Sequence, residues 1–323
     1  MLIDFVILWV DGNDEEWLLK KEKYKENCSG DSRSVRFRDW DNLQYWFRSI
    51  EKYTPWVNKI HFVTEGHIPK WLNTNCAKLN IVKHEDFIEE NFLPLFNSRA
   101  IESHLHKIPN LSEQFVYFND DMFITNSIEP TFFFKNNLPC DSRISNPIQA
   151  SNDLSITIMR NMKVINKYFK KPKLQELFKY KYKLHNIRNF ILHIWPSILG
   201  YYDPHQPTSF LKETFYKVWE KERDILITTS ESRFKNDTNV NQYLFRYWQL
   251  ASGNFYPRKV DTMKMMPIKT KEDVMLACEY ILNKKYQLLC INDTDNIYDF
   301  DDATKQINDA FEKMLPKKSK FEL

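Results

Sequence analysis

The sequence predicts an α/β protein in which a Rossmann-like, mostly parallel sheet lies under a largely helical subdomain at its carboxyl edge. Three observations predict this fold class. The apolar run from Ile3 to Val10 is continuous, which is typical of a parallel strand buried on both faces. Short apolar runs then alternate with helical periodicity as far as about Asp141. Beyond that residue the pattern becomes mostly helical.

Within the first part of the chain, three further strands are expected at Lys59 to Thr64, Leu79 to Lys83 and Phe115 to Phe118. Before the first of these strands, Asp39 is the candidate N-cap of a helix that stops before Pro55. A second helix is expected from Ser98 to Ile108. Right-handed βαβ sheets bind ligands outside the carboxyl ends of their strands, so Asp11 and residues 119–121 should share one edge.

The second part of the chain is predicted to be helical over Asp153 to Phe169, Lys173 to Lys183, Asn186 to Ile194, Thr208 to Arg223, Thr238 to Ala251 and Lys271 to Asn283. A short strand from Gln287 to Ile291 and a helix from Asp302 to Met314 complete the chain. We therefore divide it into an α/β core over 1–140, a helical subdomain over 141–285, and a return strand with a C-terminal helix over 286–323.

Composition excludes several classes of protein. Lys and Arg number 46 against 43 Asp and Glu, a net charge of +3 that is too small for a dedicated nucleic-acid binder. Only five glycines occur, all isolated, which excludes a Walker loop and a G-x-G-x-x-G fingerprint. The five cysteines form no C-x-x-C and are interpreted as packing residues in a reducing compartment. No signal peptide or membrane span is evident, so we expect a soluble, cytoplasmic protein.

Two acidic clusters at strand ends are the main chemical signal. Asp11 and Asp14 flank a Gly12-Asn13 turn, and Asp120 with Asp121 follows an apolar strand directly. Hard oxygen ligands at a rigid edge suit Mg²⁺ or Mn²⁺ bound with a diphosphate. The alternative is a simple turn and a solvated strand end.

Isolated polar residues offer further candidates, each with a structural alternative. His205 precedes a predicted helix start at Thr208, where a helix N-terminus favours phosphate oxygens. Arg233 precedes another predicted helix start, and its guanidinium suits a phosphoryl group. Asp293 is either a third acidic residue that acts with the two clusters or part of a helix-capping turn. The alternative for His205 is a structural role, and the alternative for Arg233 is a surface or capping role. Glu102, His104 and His106 are candidates for supporting the site residues from behind. The alternative is that they only form the polar face of a helix.

The stretch from Lys167 to Lys183 is basic, with interleaved aromatic residues. It has the composition of a segment that binds an anionic polymer or a membrane surface. A solvated pair of helices is the structural alternative.

The chain resembles the Stealth family of sugar-1-phosphate transferases, which includes bacterial capsule polymerases. The resemblance covers nearly the whole chain in four ordered regions. These are Ile3 to Asp14; Arg36 to Asp39 with Asn97 to His106 and Phe118 to Asp121; Asp203 to Pro207 with Arg233; and Cys290 to Thr294 with Leu315 to Glu322.

The resemblance implies transfer of a hexose-1-phosphate from a UDP-sugar, usually a UDP-N-acetylhexosamine, to a glycan hydroxyl, with UMP leaving. It implies Mg²⁺ or Mn²⁺ held by Asp11, Asp120, Asp121 and Asp293. The implied catalytic residues are Asp120, Asp121, His205 and Arg233. The implied substrate contacts are Trp9, Val10, Asp11, Gly12, Asp14, Arg38, Arg99, Glu102, His106 and Asn119. The implied partners are the UDP-sugar and the glycan acceptor, without nucleic acid. A peripheral position on the cytoplasmic face of the membrane, with a capsule assembly complex, is compatible with these roles.

The sequence leaves the mechanism open. His205 or one of Asp120 and Asp121 takes the proton of the acceptor, and a phospho-sugar intermediate on His205 is an alternative to direct transfer. Two other functions also fit the residues. One is a metal-dependent glycosyltransferase that releases UDP, and the other is a glycan-binding module without catalysis.

Overall fold

The structure is a computed structural model that describes residues 2–25, 30–31, 33, 37–177, 180 and 182–323. In chain order its strands are β1 (Ile3–Leu8), β2 (Ile60–Thr64), β3 (Leu79–Lys83), β4 (Gln114–Phe118), β5 (Met122–Ile124), β6 (Phe134–Lys135), β7 (Leu138–Asp141), β8 (Thr208–Leu211), β9 (Tyr256–Pro257), β10 (Met263–Pro267) and β11 (Leu288–Asn292). Its helices are α1 (Glu15–Lys25), α2 (Leu43–Tyr53), α3 (Ser98–Ser103), α4 (Pro130–Phe133), α5 (Asp153–Tyr168), α6 (Leu174–Leu177), α7 (His185–Leu192), α8 (Lys212–Lys221), α9 (Arg223–Glu231), α10 (Tyr243–Ser252), α11 (Lys271–Leu282) and α12 (Phe300–Met314).

A five-stranded sheet in the order β3-β2-β1-β4-β8 confirms the predicted fold class. The first four of these strands are parallel, because β1 pairs in parallel with β2 and β4, and β2 with β3. Strand β1 is buried along most of its length, as its continuous apolar run predicts. In the pairing of β1 with β4, Ile7 lies opposite Phe118, so residues 9–11 and 119–121 leave the sheet at the same edge.

The fifth strand corrects the sequence prediction. A helix was expected from Thr208, but Thr208–Leu211 forms β8, antiparallel to β4, and α8 begins only at Lys212. The four residues Thr-Ser-Phe-Leu are too few for strand periodicity to be recognised in front of an amphipathic helix. Their β-branched and aromatic members suit a sheet position. His205 therefore precedes a strand, and the helix N-terminus predicted beside it is absent from this position.

A smaller sheet, β10-β11-β5, continues the core on one side. Strand β11 runs antiparallel to β5, with Cys290 opposite Met122. The helices α11 and α12 pack together beside this sheet, and their apolar residues join one core cluster with those of β1 and α2. Residues 263–282 therefore pack with the C-terminal elements. The division of the chain into domains at residues 140 and 285 remains a prediction.

Several predicted boundaries differ from the structure. Helix α2 begins at Leu43 with Asn42 at its N-cap, because the Asp39 carboxylate instead accepts hydrogen bonds from Trp9 and the Asp41 backbone. The helix expected over 98–108 divides into α3 and a 3₁₀ turn. That expected over 238–251 begins at Tyr243. Cys28, Arg36 and residues 178, 179 and 181 of the expected helix from 173 to 183 lie outside the described residues.

The other face of the main sheet is covered by helices from the second part of the chain, among which α5 packs against α10. Asn152 caps α5 through a reciprocal hydrogen-bond pair with Ser155. Within the described ranges, each helix is too short or too polar to cross a bilayer.

An ion cluster ties α2 to the C-terminus. The Arg48 guanidinium is only 9% exposed and pairs with Glu322 at 2.9 Å and Glu312 at 2.7 Å. It also donates to the carbonyl of Leu315 at 2.8 Å. Removing one partner of such a cluster leaves buried charge without compensation.

We predict that Arg48→Ala lowers the free energy of unfolding by about 3 kcal/mol, because Glu322 would stay buried without its cation. Urea denaturation followed by circular dichroism measures the change. Lys320→Ala, which removes a more exposed ion pair with Glu51, should cost less than about 1 kcal/mol. Equal losses in the two variants would contradict the prediction.

Candidate active site

A cleft of about 280 Å³ opens at the carboxyl edge of the main sheet. Its walls come from segments far apart in sequence, which the strand ends bring together. The lining includes Trp9, Val10, Arg38, Asp39, Arg99, Glu102, Asn119, Asp120, Asp121, His205, Lys235, Tyr243, Asn292 and Asp293. A second cavity of about 180 Å³ shares part of this lining, including Trp9, Val10, Asn119, Asp120 and Lys235. The two cavities therefore adjoin along the ends of β1 and β4.

Asp121 is the most connected carboxylate in the cleft. Its Oδ2 lies 3.4 Å from His205 Nε2, 3.2 Å from Cys290 Sγ and 3.3 Å from Asn292 Nδ2. Burial opposes ionisation, but the hydrogen bond and charge of His205 outweigh it and lower the pKa of Asp121. Asp121 is therefore the charged member of the acidic pair.

Asp120 has the opposite electrostatic environment although it is the adjacent residue. Its carboxylate faces the open space of the cleft, yet the surrounding protein disfavours its charge. This desolvation, reinforced by the charges of Asp121 and Asp39, raises the pKa of Asp120 to about 7. Asp120 lines both cavities, so it lies at their junction.

His205 is held in an unusual backbone conformation. Its φ of 48° is in the left-handed region, which is uncommon for residues other than glycine. Its Nδ1 lies 3.4 Å from the Tyr243 hydroxyl, and its Nε2 faces Asp121. Burial disfavours the imidazolium, but the hydrogen bond and charge of Asp121 outweigh this and raise the pKa of His205. Strained residues of this kind occur often at functional sites.

A buried network lies behind the His205 loop. Arg246 donates two hydrogen bonds to Asp141, at 2.7 and 2.8 Å, and also pairs with Asp203, which accepts from the Tyr247 hydroxyl. Arg246 is 2% exposed. Because Asp203 is two residues before His205, this network holds the loop against α10.

The guanidinium of Arg38 lines the cleft but is already paired. It contacts Asp293 at 2.8 and 2.5 Å and lies over the Phe300 ring at 4.2 Å. Asp293, which the sequence predicts among the metal ligands, is therefore paired with the guanidinium of Arg38. The structure favours a role for this pair in shaping the cleft wall.

Two further predicted residues, Arg99 and Glu102, line the cleft from α3. Each is 7% exposed, so they do not form a solvated helix face. Glu102 accepts hydrogen bonds from the Tyr117 hydroxyl at 3.1 Å and the Gln242 backbone at 3.2 Å, and burial raises its pKa. Arg99 donates to the Asn236 carbonyl at 2.8 Å.

Five predicted residues are not part of the cleft lining in the described chain: Asp11, Gly12, Asp14, His106 and Arg233. The side chain of Asp11 accepts from the Asn13 backbone, and that of Asp14 from Trp17 at the start of α1. Asp11 thus caps its own turn and Asp14 caps α1, and neither lines the cleft with Asp120 and Asp121.

The other three residues make packing contacts outside the cleft. A Cβ at Gly12 would lie 1.7 Å from the Phe37 carbonyl oxygen, so only glycine fits there. His106 packs against the rings of Phe215 and Tyr216. Arg233 lies over the Tyr24 ring at 4.9 Å, and the predicted helix start after it is absent because α10 begins at Tyr243.

Sequence reasoning missed several residues of the cleft. Lys235 lies in both cavity linings, and no motif marks it because it is a single lysine between Phe234 and Asn236. Tyr243 is periodic with the core residues of its helix, which hides its contact with His205. Cys290 was interpreted as a packing residue. Its place at the end of an apolar strand, before Asn292, was a usable signal.

Some of the side chains in the cleft are suitable ligands for a divalent cation, and others are not. Asp121 Oδ1 is buried and lacks a hydrogen-bond partner among the described residues. Ligand atoms of Asp121, His205 and Cys290 lie within 4.8 Å of one another. Burial raises the pKa of the Cys290 thiol well above its usual value, and sulfur is a poor ligand for Mg²⁺. The carboxylate oxygens of Asp120 and Asp121 are the donors that fit Mg²⁺ or Mn²⁺.

Comparison with known proteins identifies both similar domains and similar whole chains. Residues 1–27 match the model of Stealth protein CR1, conserved region 1, and residues 36–141 match Stealth protein CR2, conserved region 2. The capsular polysaccharide phosphotransferase WcwK of Streptococcus pneumoniae is 44% identical, over 99% of this chain and 98% of its own length.

Two other similar proteins come from different species. The exopolysaccharide phosphotransferase cps2G of Lactiplantibacillus plantarum is 38% identical, over 99% of this chain and 96% of its own. The receptor polysaccharide phosphotransferase WefC of Streptococcus oralis is 38% identical, over 99% of each chain. Among solved structures, the galactosyltransferase LgtC covers 95% of each chain with 10% identity and a TM-score of 0.40. A likeness of that extent carries no argument about the site.

The burial of His106 predicts a dependence of stability on pH. Burial lowers the pKa values of His84, His104 and His106 to about 3, 4 and 3, so the fold keeps all three neutral. In the unfolded chain they bind protons below about pH 6.5. Their contribution to stability is thus complete above that pH and is lost as the pH falls towards 3, by about 2 kcal/mol for each histidine at pH 5.

His106→Gln and His106→Phe should each make the fall in unfolding free energy between pH 6.5 and 5 shallower by about 1 kcal/mol per pH unit. The phenylalanine variant retains an aromatic ring against Phe215, so it separates titration from packing. Denaturant titrations at several pH values measure the slopes. Unchanged slopes in both variants would contradict the placement of a neutral His106 in the core.

Proposed function

This chain belongs to the Stealth family, and from that membership we propose that it transfers a hexose-1-phosphate from a UDP-sugar to a glycan hydroxyl, releasing UMP. The full-length relatives are phosphotransferases of capsular polysaccharide, exopolysaccharide and receptor polysaccharide. Sugar-phosphate transfer in polysaccharide synthesis is thus the activity of the family. The UDP donor, the release of UMP and an N-acetylhexosamine as the sugar are our proposals for this chain.

The observation that carries the proposal is the grouping of Asp121 and His205 in the cleft beside Asp120, which lines both of the adjoining cavities. Two substrates must meet at a reacting phosphorus, and two cavities that share a carboxylate provide such a place. Phosphoryl transfer requires positioning and charge neutralisation more than a covalent nucleophile. The cleft offers carboxylates, an imidazole and basic side chains for those tasks.

In the proposed reaction the acceptor oxygen attacks the β-phosphorus of the donor. A bond forms between that oxygen and phosphorus, and the bond from this phosphorus to the bridging oxygen breaks. The bridging oxygen leaves with UMP, and the acceptor proton passes to a base of the protein. The sugar keeps its bond to the transferred phosphate, which becomes a phosphodiester.

We assign Asp120 as the base on its position. It faces the cleft and lines both cavities, whereas both ring nitrogens of His205 already face partners, Asp121 and Tyr243. A pKa of about 7 agrees with this role, since a base works best near the ambient pH. His205, whose pKa is raised, then brings positive charge to the site and positions Asp121.

The second cavity is the proposed seat of the uridine. Its lining is largely apolar and aromatic, with Trp9, Trp17, Phe37 and Tyr117, which suits a base and ribose. His84 also lines it, and its Nδ1 is buried without a hydrogen-bond partner among the described residues. Lys235 borders both cavities and is placed to face the diphosphate between them.

A divalent cation, Mg²⁺ or Mn²⁺, is the proposed cofactor. The residue that would hold it is Asp121, through its unpaired Oδ1, while Asp120 stays available for the acceptor proton. Such an ion, when bound, neutralises diphosphate charge and stabilises the leaving group. Asp293 and Asp11 are left out of this proposal because Arg38 neutralises Asp293 and Asp11 does not line the cleft.

The proposed partners are the UDP-sugar and a glycan acceptor, and the proposed compartment is the cytoplasm. The four described cysteines are free thiols, which agrees with a reducing environment. Association with a capsule assembly complex is likewise a proposal.

We predict that incubation with UDP-N-acetylhexosamines, Mg²⁺ and an oligosaccharide acceptor releases UMP and yields a phosphodiester. Chromatography identifies the nucleotide, and ³¹P NMR identifies the product. Asp120→Asn should lower kcat by a factor of about 10² to 10⁴, because the base is lost. Glu85→Gln, at an exposed carboxylate that does not line the cleft, should retain activity.

Release of UDP in place of UMP would overturn the proposed reaction, because it requires cleavage at the anomeric carbon. Retained turnover in Asp120→Asn with UMP as the product would leave the reaction standing but remove Asp120 as its base.

Removal of the cation tests the metal proposal separately. EDTA should abolish turnover and added Mg²⁺ should restore it. Calorimetry with Mn²⁺ should detect binding to the wild-type protein, weakened at least about tenfold in Asp121→Asn because a coordinating oxygen is lost. Unchanged turnover in EDTA, or equal Mn²⁺ affinity in both proteins, would contradict a cation at this carboxylate.

A further inference from the structure

Helix α7 and the segment after it present a stripe of large apolar side chains. Leu184, Ile187 and Ile191 recur at helical spacing and are 79%, 59% and 56% exposed. Trp195, in the bend after the helix, is 43% exposed. Ile194 is 76% exposed. Single exposed apolar residues are ordinary, but a series of this kind on one short segment marks an interaction surface.

The opposite side of α7 fixes the helix to the protein. Asn189 is 2% exposed, accepts a hydrogen bond from the Ser145 backbone at 2.6 Å and donates one to the Arg143 carbonyl at 3.3 Å. Lys171 donates to the carbonyls of His193 and Trp195 at 2.8 and 2.9 Å, which holds the end of the segment. The apolar stripe is therefore presented outward from an anchored helix.

The same part of the chain is strongly basic. Between residues 163 and 195, the described residues include one acidic side chain, Glu176, and seven basic ones: Lys163, Lys167, Lys170, Lys171, Lys173, Lys183 and Arg188. This local excess is larger than the net charge of +3 on the whole chain. Lys167 and Lys183 pair with Glu222 and Asp261 yet remain 60% and 68% exposed.

We propose that this α7 surface, formed by Leu184, Ile187, Ile191, Ile194 and Trp195 with the surrounding lysines, docks on an anionic lipid bilayer. Apolar side chains would enter the boundary between headgroups and acyl chains, and the lysines would contact anionic headgroups. An anionic polysaccharide would satisfy the lysines but offers no hydrocarbon for the stripe. The proposal is independent of the reaction in the cleft.

Flotation with lipid vesicles tests the proposal on the full chain. The protein should float with vesicles of phosphatidylglycerol and phosphatidylcholine in equal parts, and not with phosphatidylcholine alone. Ile187→Ser with Ile191→Ser should weaken partition by about tenfold or more, and Lys170→Glu with Lys173→Glu by a similar factor. The matched control is Met275→Ser with Leu282→Ser, which removes two exposed apolar side chains from α11 and should float like the wild type.

A second measurement locates the contact. Brominated lipids should quench part of the tryptophan fluorescence on binding, and Trp195→Phe should remove most of that quenching. Circular dichroism spectra and thermal unfolding curves that match those of the wild type confirm that each variant is folded.

Three results would overturn the proposal: failure of the wild-type protein to float with the anionic vesicles, equal flotation of the α7 and α11 variants, or quenching that persists in Trp195→Phe. Light scattering distinguishes another occupant. A concentration-dependent dimer that the α7 variants abolish, without flotation of the wild type, would assign the surface to self-association.

Discussion

The antiparallel pairing of β4 with β8 is the constraint on which the site depends. In this register Tyr117 lies opposite Thr208, so the residues after β4 and those before β8 leave the sheet side by side. Asp121 and His205 meet for that reason, although 84 positions separate them in the sequence. Strand β5 then carries the chain from Asp121 into the small sheet, where β11 brings Cys290 and Asn292 against the same carboxylate. Each of these contacts follows from strand register, and a rigid sheet edge holds reacting groups more accurately than a loop does.

The same edge gives two adjacent carboxylates different chemistry. Asp121 is turned towards an imidazole and an amide, which stabilise its charge, while desolvation and then neighbouring negative groups destabilise the charge of Asp120. Neighbouring carboxylates whose environments move their pKa values apart are a recurring way to obtain a charged group and a proton acceptor in one site. Both residues lie in the turn between β4 and β5, where the Met122 amide donates to the Asn119 carbonyl, and each carboxylate takes its chemistry from its surroundings there.

The sequence predicts the parallel strands well because their apolar runs are continuous, and it predicts Asp120 and Asp121 because they directly follow one of them. It fails where the signal is short or shared. Residues 208–211 are too few to show a period of two before α8 begins, so the strand that positions His205 was assigned to a helix. Asp11 and Asp14 are acidic residues after a strand, like the pair after β4, but their carboxylates accept hydrogen bonds from the backbones of Asn13 and Trp17. Lys235 has no local pattern at all, since its place in both cavities depends on the packing of the loop before α10.

The charges of the cleft bear on how a diphosphate can enter it. Arg38 and Arg99 already contact Asp293 and the Asn236 carbonyl. Lys235 and His205 add positive charge, but the lining also holds five carboxylates: Asp39, Glu102, Asp120, Asp121 and Asp293. A glycine-rich loop would supply backbone amides to a phosphate, but the chain has only five glycines, all isolated. Without such amides, a diphosphate beside these carboxylates is repelled unless positive charge arrives with it or protons bind the carboxylates. A divalent cation carried by the donor meets this requirement at Asp121 Oδ1, the buried oxygen that lacks a partner in the described chain. The scarcity of glycine and the acidity of the cleft thus favour the same arrangement, in which donor and cation enter together.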